Sequence, residues 1–248
     1  MNPDNIFPII KVSFYILCAA LILAAFIVIF IIKDHNRKKH TTELKAMAAK
    51  NGWKFYDLFD FPFLRELAYY TGKVKDGMLQ ENFNNPFLEK SRNVIQGNKN
   101  RRNFAVFEQR YYSGAYRAGT MRRHERTLTV FAVELKEMNL PVFCLEPDSF
   151  DYFSPIGVKN PDINFYHSHP KFSSNYLLYG RNENQIKNLF LPSVLAFFEQ
   201  SPLLRMIAGG RYLVIYQNTK QILAPYQIIE NLNLLLTVAN AFKYRTLP

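Results

Sequence analysis

Cysteine is nearly missing from this chain: there are two among 248 residues, Cys18 and Cys144. Cys18 lies in a long apolar run and Cys144 in a strand-like stretch, so the two do not make an intrachain structural disulfide. A disulfide-stapled secreted domain carries paired cysteines, and two are too few for a zinc-finger framework. Tryptophan occurs once, although there are 22 Phe and 15 Tyr. A glycine-rich phosphate loop is missing: Gly209-Gly210 lacks a following Lys-Ser/Thr. There is no Gly-x-Ser-x-Gly elbow, internal repeat or low-complexity tract. Acid is scarce, with 20 Asp and Glu against 31 Lys and Arg, a formal net charge of +11. Hydrophobic content of 48% and charged content of 21% exclude wholesale disorder.

The run Val12 to Ile32, "VSFYILCAALILAAFIVIFII", has no charge and no polar stripe. At ~1.5 Å per residue it measures about 30 Å, the thickness of a bilayer's hydrocarbon core. It predicts an uncleaved transmembrane helix, since a signal peptide has a basic start, a shorter apolar stretch and a small-x-small cleavage site. Lys33, Arg37, Lys38, Lys39, Lys45 and Lys50 follow it against Asp34 and Glu43, whereas Lys11 is balanced by Asp4 on the other side. Positive charge stays on the cytoplasmic side. The expected organisation is therefore an extracytoplasmic N-terminus over 1–11, a single-pass transmembrane helix over 12–32, a basic juxtamembrane helix or linker over 33–52, and a cytoplasmic domain over 53–248.

In that domain, Thr41 or Thr42 would cap a helix that Asn51-Gly52 stops. "GWKFYDLF" reads as a short strand. "NVIQGNKNRRNFAVFEQRYY" reads as two strands around a turn at Gly97-Asn98-Lys99-Asn100. "RTLTVFAVEL" and "PVFCLEP" are further strands. In "NENQIKNLFLPSVLAFFEQ", Pro192 divides two short helices. "LLRMIAGGRYLVIYQ" is a hairpin turning at Gly209-Gly210. Ile228, Leu232, Leu235, Ala239 and Phe242 recur at helical spacing and predict a C-terminal amphipathic helix. Strands in runs, then helices, argue an α+β fold with a mainly antiparallel sheet.

The stretch "FYHSHP" matches the His-Ser-His-Pro of JAMM or MPN zinc isopeptidases. On a strand, His167 and His169 would share a face and could hold one zinc ion. The pattern of that family fails further along, because its Ser and ligand Asp fall on Leu177 and Gly180. Glu134 is the available upstream acid. The match is read as incidental; a JAMM-like metal-dependent hydrolase using His167, His169 and zinc is the alternative.

Residues 97–126 concentrate Lys99, Arg101, Arg102, Arg110, Arg117, Arg122, Arg123 and Arg126 against Glu108 and Glu125. Two predicted turns, "GNKNRRN" and "SGAYRAGTMRRHER", hold most of them. Lys38, Lys39, Lys99, Arg101, Arg102, Arg122 and Arg123 are the candidate contacts to anionic lipid, where each basic residue adds roughly 1 kcal/mol. Nucleic acid is the weaker reading, despite the interleaved Tyr111, Tyr112 and Tyr116.

Together, the apolar run, "LKAMAAKNGWKFYD", "TLTVFAVEL" with "LPVFCLEP", and "HPKFSSNYLLYGRNENQIKNLFLPSVLAFFE" resemble an uncharacterised family of bacterial single-pass membrane proteins, a domain of unknown function. Such proteins carry a span, Ala-x-x-x-Gly-Trp, Thr-Val-x-Ala-Val-Glu-Leu, and a Phe-x-x-x-Phe-x-Val segment ahead of a helix, here Phe165, Phe172 and Leu177-Leu178. The resemblance implies a place in the bacterial cytoplasmic (inner) membrane and no reaction. The expectation is a membrane-anchored binding or scaffolding domain rather than an enzyme. Its partners are the lipid bilayer and an unidentified protein, and it has no cofactor.

Overall fold

The computed structural model describes residues 6–58, 91–117, 120–148, 163–180, 182–201, 204–216 and 223–243; within these, nothing is said of the side chains of 6–16, 19 and 110–126. The chain forms two compact units, Met1–Ala46 and Met47–Pro248.

The first unit lies on one long helix, α1 (Ile6–Lys50). The separate helix expected from Thr41 or Thr42 does not exist. The Thr42 hydroxyl instead donates back to the Lys38 carbonyl, 3.0 Å away, inside the continuous helix. From Leu17 to Ile32 the large apolar side chains stand 50–73% exposed.

The single-pass expectation is corrected here. Among the described residues no helix is long and apolar enough to cross a membrane. The transmembrane helix over 12–32, the inner-membrane placement and the outside N-terminus lose their support with it.

The end of α1 lies in the second unit and is built by the Asn51-Gly52 signal. Gly52 takes a φ of 69°. Its N–H donates to Ala49 O at 3.1 Å, and Trp53 N–H to Ala48 O at 2.8 Å. That pair of bonds is a Schellman cap, and the left-handed residue it needs is disfavoured for side chains with a Cβ.

Among the described residues the second unit is an eight-stranded sheet with four further helices, an α+β arrangement as the strand runs indicated. The strands are β1 (Lys54–Leu58), β2 (Ser91–Lys99), β3 (Arg102–Arg117), β4 (Thr120–Glu134), β5 (Leu140–Pro147), β6 (Tyr176–Gly180), β7 (Arg205–Gly210) and β8 (Tyr212–Tyr216). Their order is β1-β2-β3-β4-β8-β7-β5-β6, and every neighbouring pair is antiparallel. The helices are α2 (Pro170–Asn175), α3 (Glu183–Leu189), α4 (Pro192–Gln200) and α5 (Pro225–Lys243).

Pro192 stands at the start of α4, where its missing N–H costs nothing, so the apolar stretch breaks there into two helices. Asn182 caps α3 by accepting from Gln185 N–H at 3.1 Å. The β7–β8 turn is Gly210-Arg211, with Gly209 already paired to Tyr212; Gly210 has a φ of 57°. The β2–β3 turn is Asn100-Arg101, not Gly97–Asn100. Both residues have positive φ, 53° and 63°, as a type I′ turn requires, and Gly97 pairs with Phe104 within the ladder.

Alternation along the strands gives each sheet face its own core. On one face Phe143 meets aromatic side chains carried by the helices: Phe190 at 5.2 Å and Phe242 at 6.1 Å between ring centroids. Phe172 and Phe198 join the same cluster. On the other face Val94, Phe107, Val130, Ala132, Cys144, Ile207, Val214 and Tyr216 are buried together. The many phenylalanines are therefore the material of a helix-on-sheet core.

Candidate functional site

The histidine motif does not lie on a strand. Phe165 to Ser168 form a turn in which the Phe165 carbonyl accepts from Ser168 N–H (3.1 Å) and His169 N–H (2.7 Å). His169 then precedes Pro170, the first residue of α2. Its Nδ1 lies 3.4 Å from Glu199 Oε1, an oxygen that also accepts from Phe172 N–H at 3.1 Å. His167 is exposed. The turn thus starts α2 and ties it to α4. Leu177 and Gly180 both belong to β6. Among the described residues no group of three or more His, Cys, Asp and Glu could hold a metal ion.

Glu134 is engaged elsewhere. Its Oε2 accepts from Asn103 Nδ2 at 2.8 Å and its Oε1 lies 3.1 Å from Arg211 Nε. It fastens the end of β4 to the start of β3 and to the β7–β8 turn.

The seven candidate lipid contacts fall into three places. Lys38 and Lys39 are exposed on α1, and Lys38 Nζ pairs with Asp34 at 2.7 Å, a hydrogen bond that lowers the Asp34 pKa. Lys99, Arg101 and Arg102 surround the β2–β3 turn. There Lys99 Nζ donates to Asn233 Oδ1 at 2.7 Å, and Arg102 is buried with Nη1 3.4 Å from the Leu236 carbonyl, so both lean on α5. Arg101 is the exposed cation of that turn. Arg122 and Arg123 belong to β4 and not to a turn, opposite Ala115 and Gly114. The two basic stretches are the opposite ends of β3, whose 16 residues span about 50 Å. Sequence alone left their relation open because the length of β3 was hidden in a stretch that reads as a turn.

Two arrangements escaped sequence reasoning. The first is a buried ion pair between strands: Arg205 Nη2 and Nε lie 2.8 and 2.9 Å from Glu146 Oε1. Arg205 also stacks over the Tyr216 ring, 5.3 Å from its centroid. Cys144 lies in the same face, and burial pushes its thiol well above the usual range, with Glu146 adding to the effect. That thiol is a core group, not a nucleophile. Glu146 is a paired core residue. The second arrangement is the far part of the β3–β4 hairpin.

No protein-family model matches the chain, and no curated protein matches it. Among solved structures it is similar to the crystal structure of the mycobacterial trehalose monomycolate transport factor A, TtfA. The identity is 12%, over 84% of this chain and 96% of that one, with a TM-score of 0.49. A likeness at this level carries no argument about function.

Proposed function

We propose that this chain is a non-catalytic binding domain that attaches to lipid through α1. The observation that carries the reading is the 50–73% exposure of the large apolar side chains from Leu17 to Ile32. They follow one another without a polar stripe, so no rotation of the helix hides them from water. A contiguous apolar surface of this kind marks an interaction site. Moving these Leu, Ile, Val and Phe side chains out of water is worth on the order of 10 kcal/mol in total. Lys33, Arg37, Lys38 and Lys39 come directly after the apolar stretch and are exposed. An anionic headgroup beside each adds roughly 1 kcal/mol, less for Lys38, which already has Asp34.

Vesicle flotation tests the reading. The full chain, delivered from detergent, floats with phosphatidylcholine vesicles and more strongly with vesicles containing phosphatidylglycerol. A Phe26→Asp/Ile29→Asp variant removes two of these apolar side chains, about 2 kcal/mol each, and lowers binding by roughly a thousandfold. A wild-type chain that stays at the bottom of the gradient with both vesicle types refutes the proposal.

A further inference from the structure

We infer that α1 carries a headgroup site just past its apolar stretch, in which Lys33 and Arg37 hold one lipid phosphomonoester group between them. The inference rests on the lipid attachment proposed above and names the headgroup which that attachment selects. Lys33 directly follows Ile32, the last of the exposed apolar side chains. Where the apolar stretch meets lipid, these two long cationic side chains stand at the level of the headgroups.

Residues 33–40 lie within one continuous helix, so the helical period sorts their side chains onto faces. Lys33, Asn36 and Arg37 share one face, and over 33–40 that face holds no acid. All three are exposed. Asp34 and Lys38 occupy the next face, where they pair at 2.7 Å. His35 and Lys39 occupy a third, with one permanent cation. Among the described residues neither Lys33 nor Arg37 has an ion-pair partner; Arg37 acts on Asp34 only through space, and less than Lys38 does. Lys33 and Arg37 are thus two unpaired permanent cations, one turn apart on one exposed face.

About 6 Å of helix separates them. Like charges at this spacing work against the helix, and an anion between them turns the repulsion into attraction. A phosphodiester headgroup brings one charge. A phosphomonoester brings up to two charges and three terminal oxygens. The planar fork of Arg37 can engage two of those oxygens, while the compact Lys33 ammonium takes the third. Asn36 adds an amide donor on the same face. Scattered cations would respond to surface charge alone, whereas a pair converging on one group tells a monoester from a diester.

The experiment uses the full chain on three kinds of vesicle: phosphatidylcholine alone, phosphatidylcholine with phosphatidylglycerol, and phosphatidylcholine with phosphatidic acid. The two acidic mixtures are matched in zeta potential. The wild type binds the phosphatidic acid vesicles about fivefold more tightly than the phosphatidylglycerol ones, the effect of one further charge contact. Lys33→Gln/Arg37→Gln removes that preference and lowers binding to phosphatidic acid by on the order of thirtyfold. Lys38→Gln/Lys39→Gln removes the same formal charge, keeps the preference and loses about fivefold or less. Circular dichroism confirms that both variants fold, and both keep wild-type binding to phosphatidylcholine alone, which reads the apolar stretch. Equal losses in the two variants, or a wild type that does not distinguish the acidic lipids at matched potential, overturn the inference and leave the lipid attachment standing. A wild type that binds none of the three vesicles overturns the attachment itself. Glycerol phosphate, titrated into the detergent-solubilised chain, is the soluble form of the same group. Its binding as tightly as phosphatidic acid vesicles at equal phosphate concentration overturns the assignment to lipid.

Discussion

Replacing Glu146 by Leu strands the Arg205 guanidinium in the core. Two of its nitrogens lie within 2.9 Å of one Glu146 oxygen, and the two side chains are only 4% and 11% exposed. Little water reaches this site, and breaking a buried ion pair by removing one member costs about 3–5 kcal/mol. In a domain of this size 1 kcal/mol moves Tm by about 2–4 °C, so Glu146→Leu lowers Tm by about 6–20 °C. Removing both charges behaves differently. The Coulomb attraction of a buried pair roughly offsets its desolvation, so Glu146→Leu/Arg205→Met recovers most of the loss. Urea unfolding of wild type, both single variants and the double variant, in constant detergent, gives the coupling energy, expected at about 3 kcal/mol or more. If each single variant costs no more than the double, the pair is solvated and the reasoning about this face of the sheet is wrong.

Arg101 holds a φ of 63° at a turn position that favours glycine. Arg101→Gly should raise stability by about 1 kcal/mol in the same urea assay. The hydrogen bond from Lys243, at 2.8 Å, together with one from the backbone, lowers the Glu137 pKa below its usual value. A depressed carboxylate pKa contributes stability above the unfolded value, near 4.5, that is lost as pH falls through the folded one. Both side chains are nearly half exposed, so Lys243→Ala costs a few tenths of a kcal/mol at pH 7. The difference from wild type shrinks as pH falls below about 4.5 in melts across the range.

Much of the sheet was legible because its signals are local. Trp53 and Phe55 alternate into β1, Gly209-Gly210 marks the β7–β8 turn, and Pro192 separates α3 from α4. The period of Ile228, Leu232, Leu235, Ala239 and Phe242 gives the buried face of α5. What stayed hidden depends on partners distant in sequence. Glu146 and Arg205 are 59 residues apart, and nothing local pairs them. β6 is a five-residue strand directly after α2, too short to declare a period of its own. "SGAYRAGTMRRHER" reads as a turn because small and charged residues fill it, yet the ladder runs through it from Ser113 to Arg117 and from Thr120 to Arg126. Lys99 and Arg102 read as surface charge until Asn233 and Leu236 are seen beside them.

The central claim is that the apolar stretch of α1 meets lipid, and its native thiol reports on this directly. Cys18 is partly exposed on that stretch while Cys144 is buried, so a spin label reacts with Cys18 in the folded chain. Its collision rates with oxygen and with a water-soluble nickel complex are then measured on vesicles of phosphatidylcholine and phosphatidylglycerol. The account predicts a label open to oxygen and shielded from nickel, as in the acyl region. A label that remains equally open to nickel with and without vesicles contradicts it.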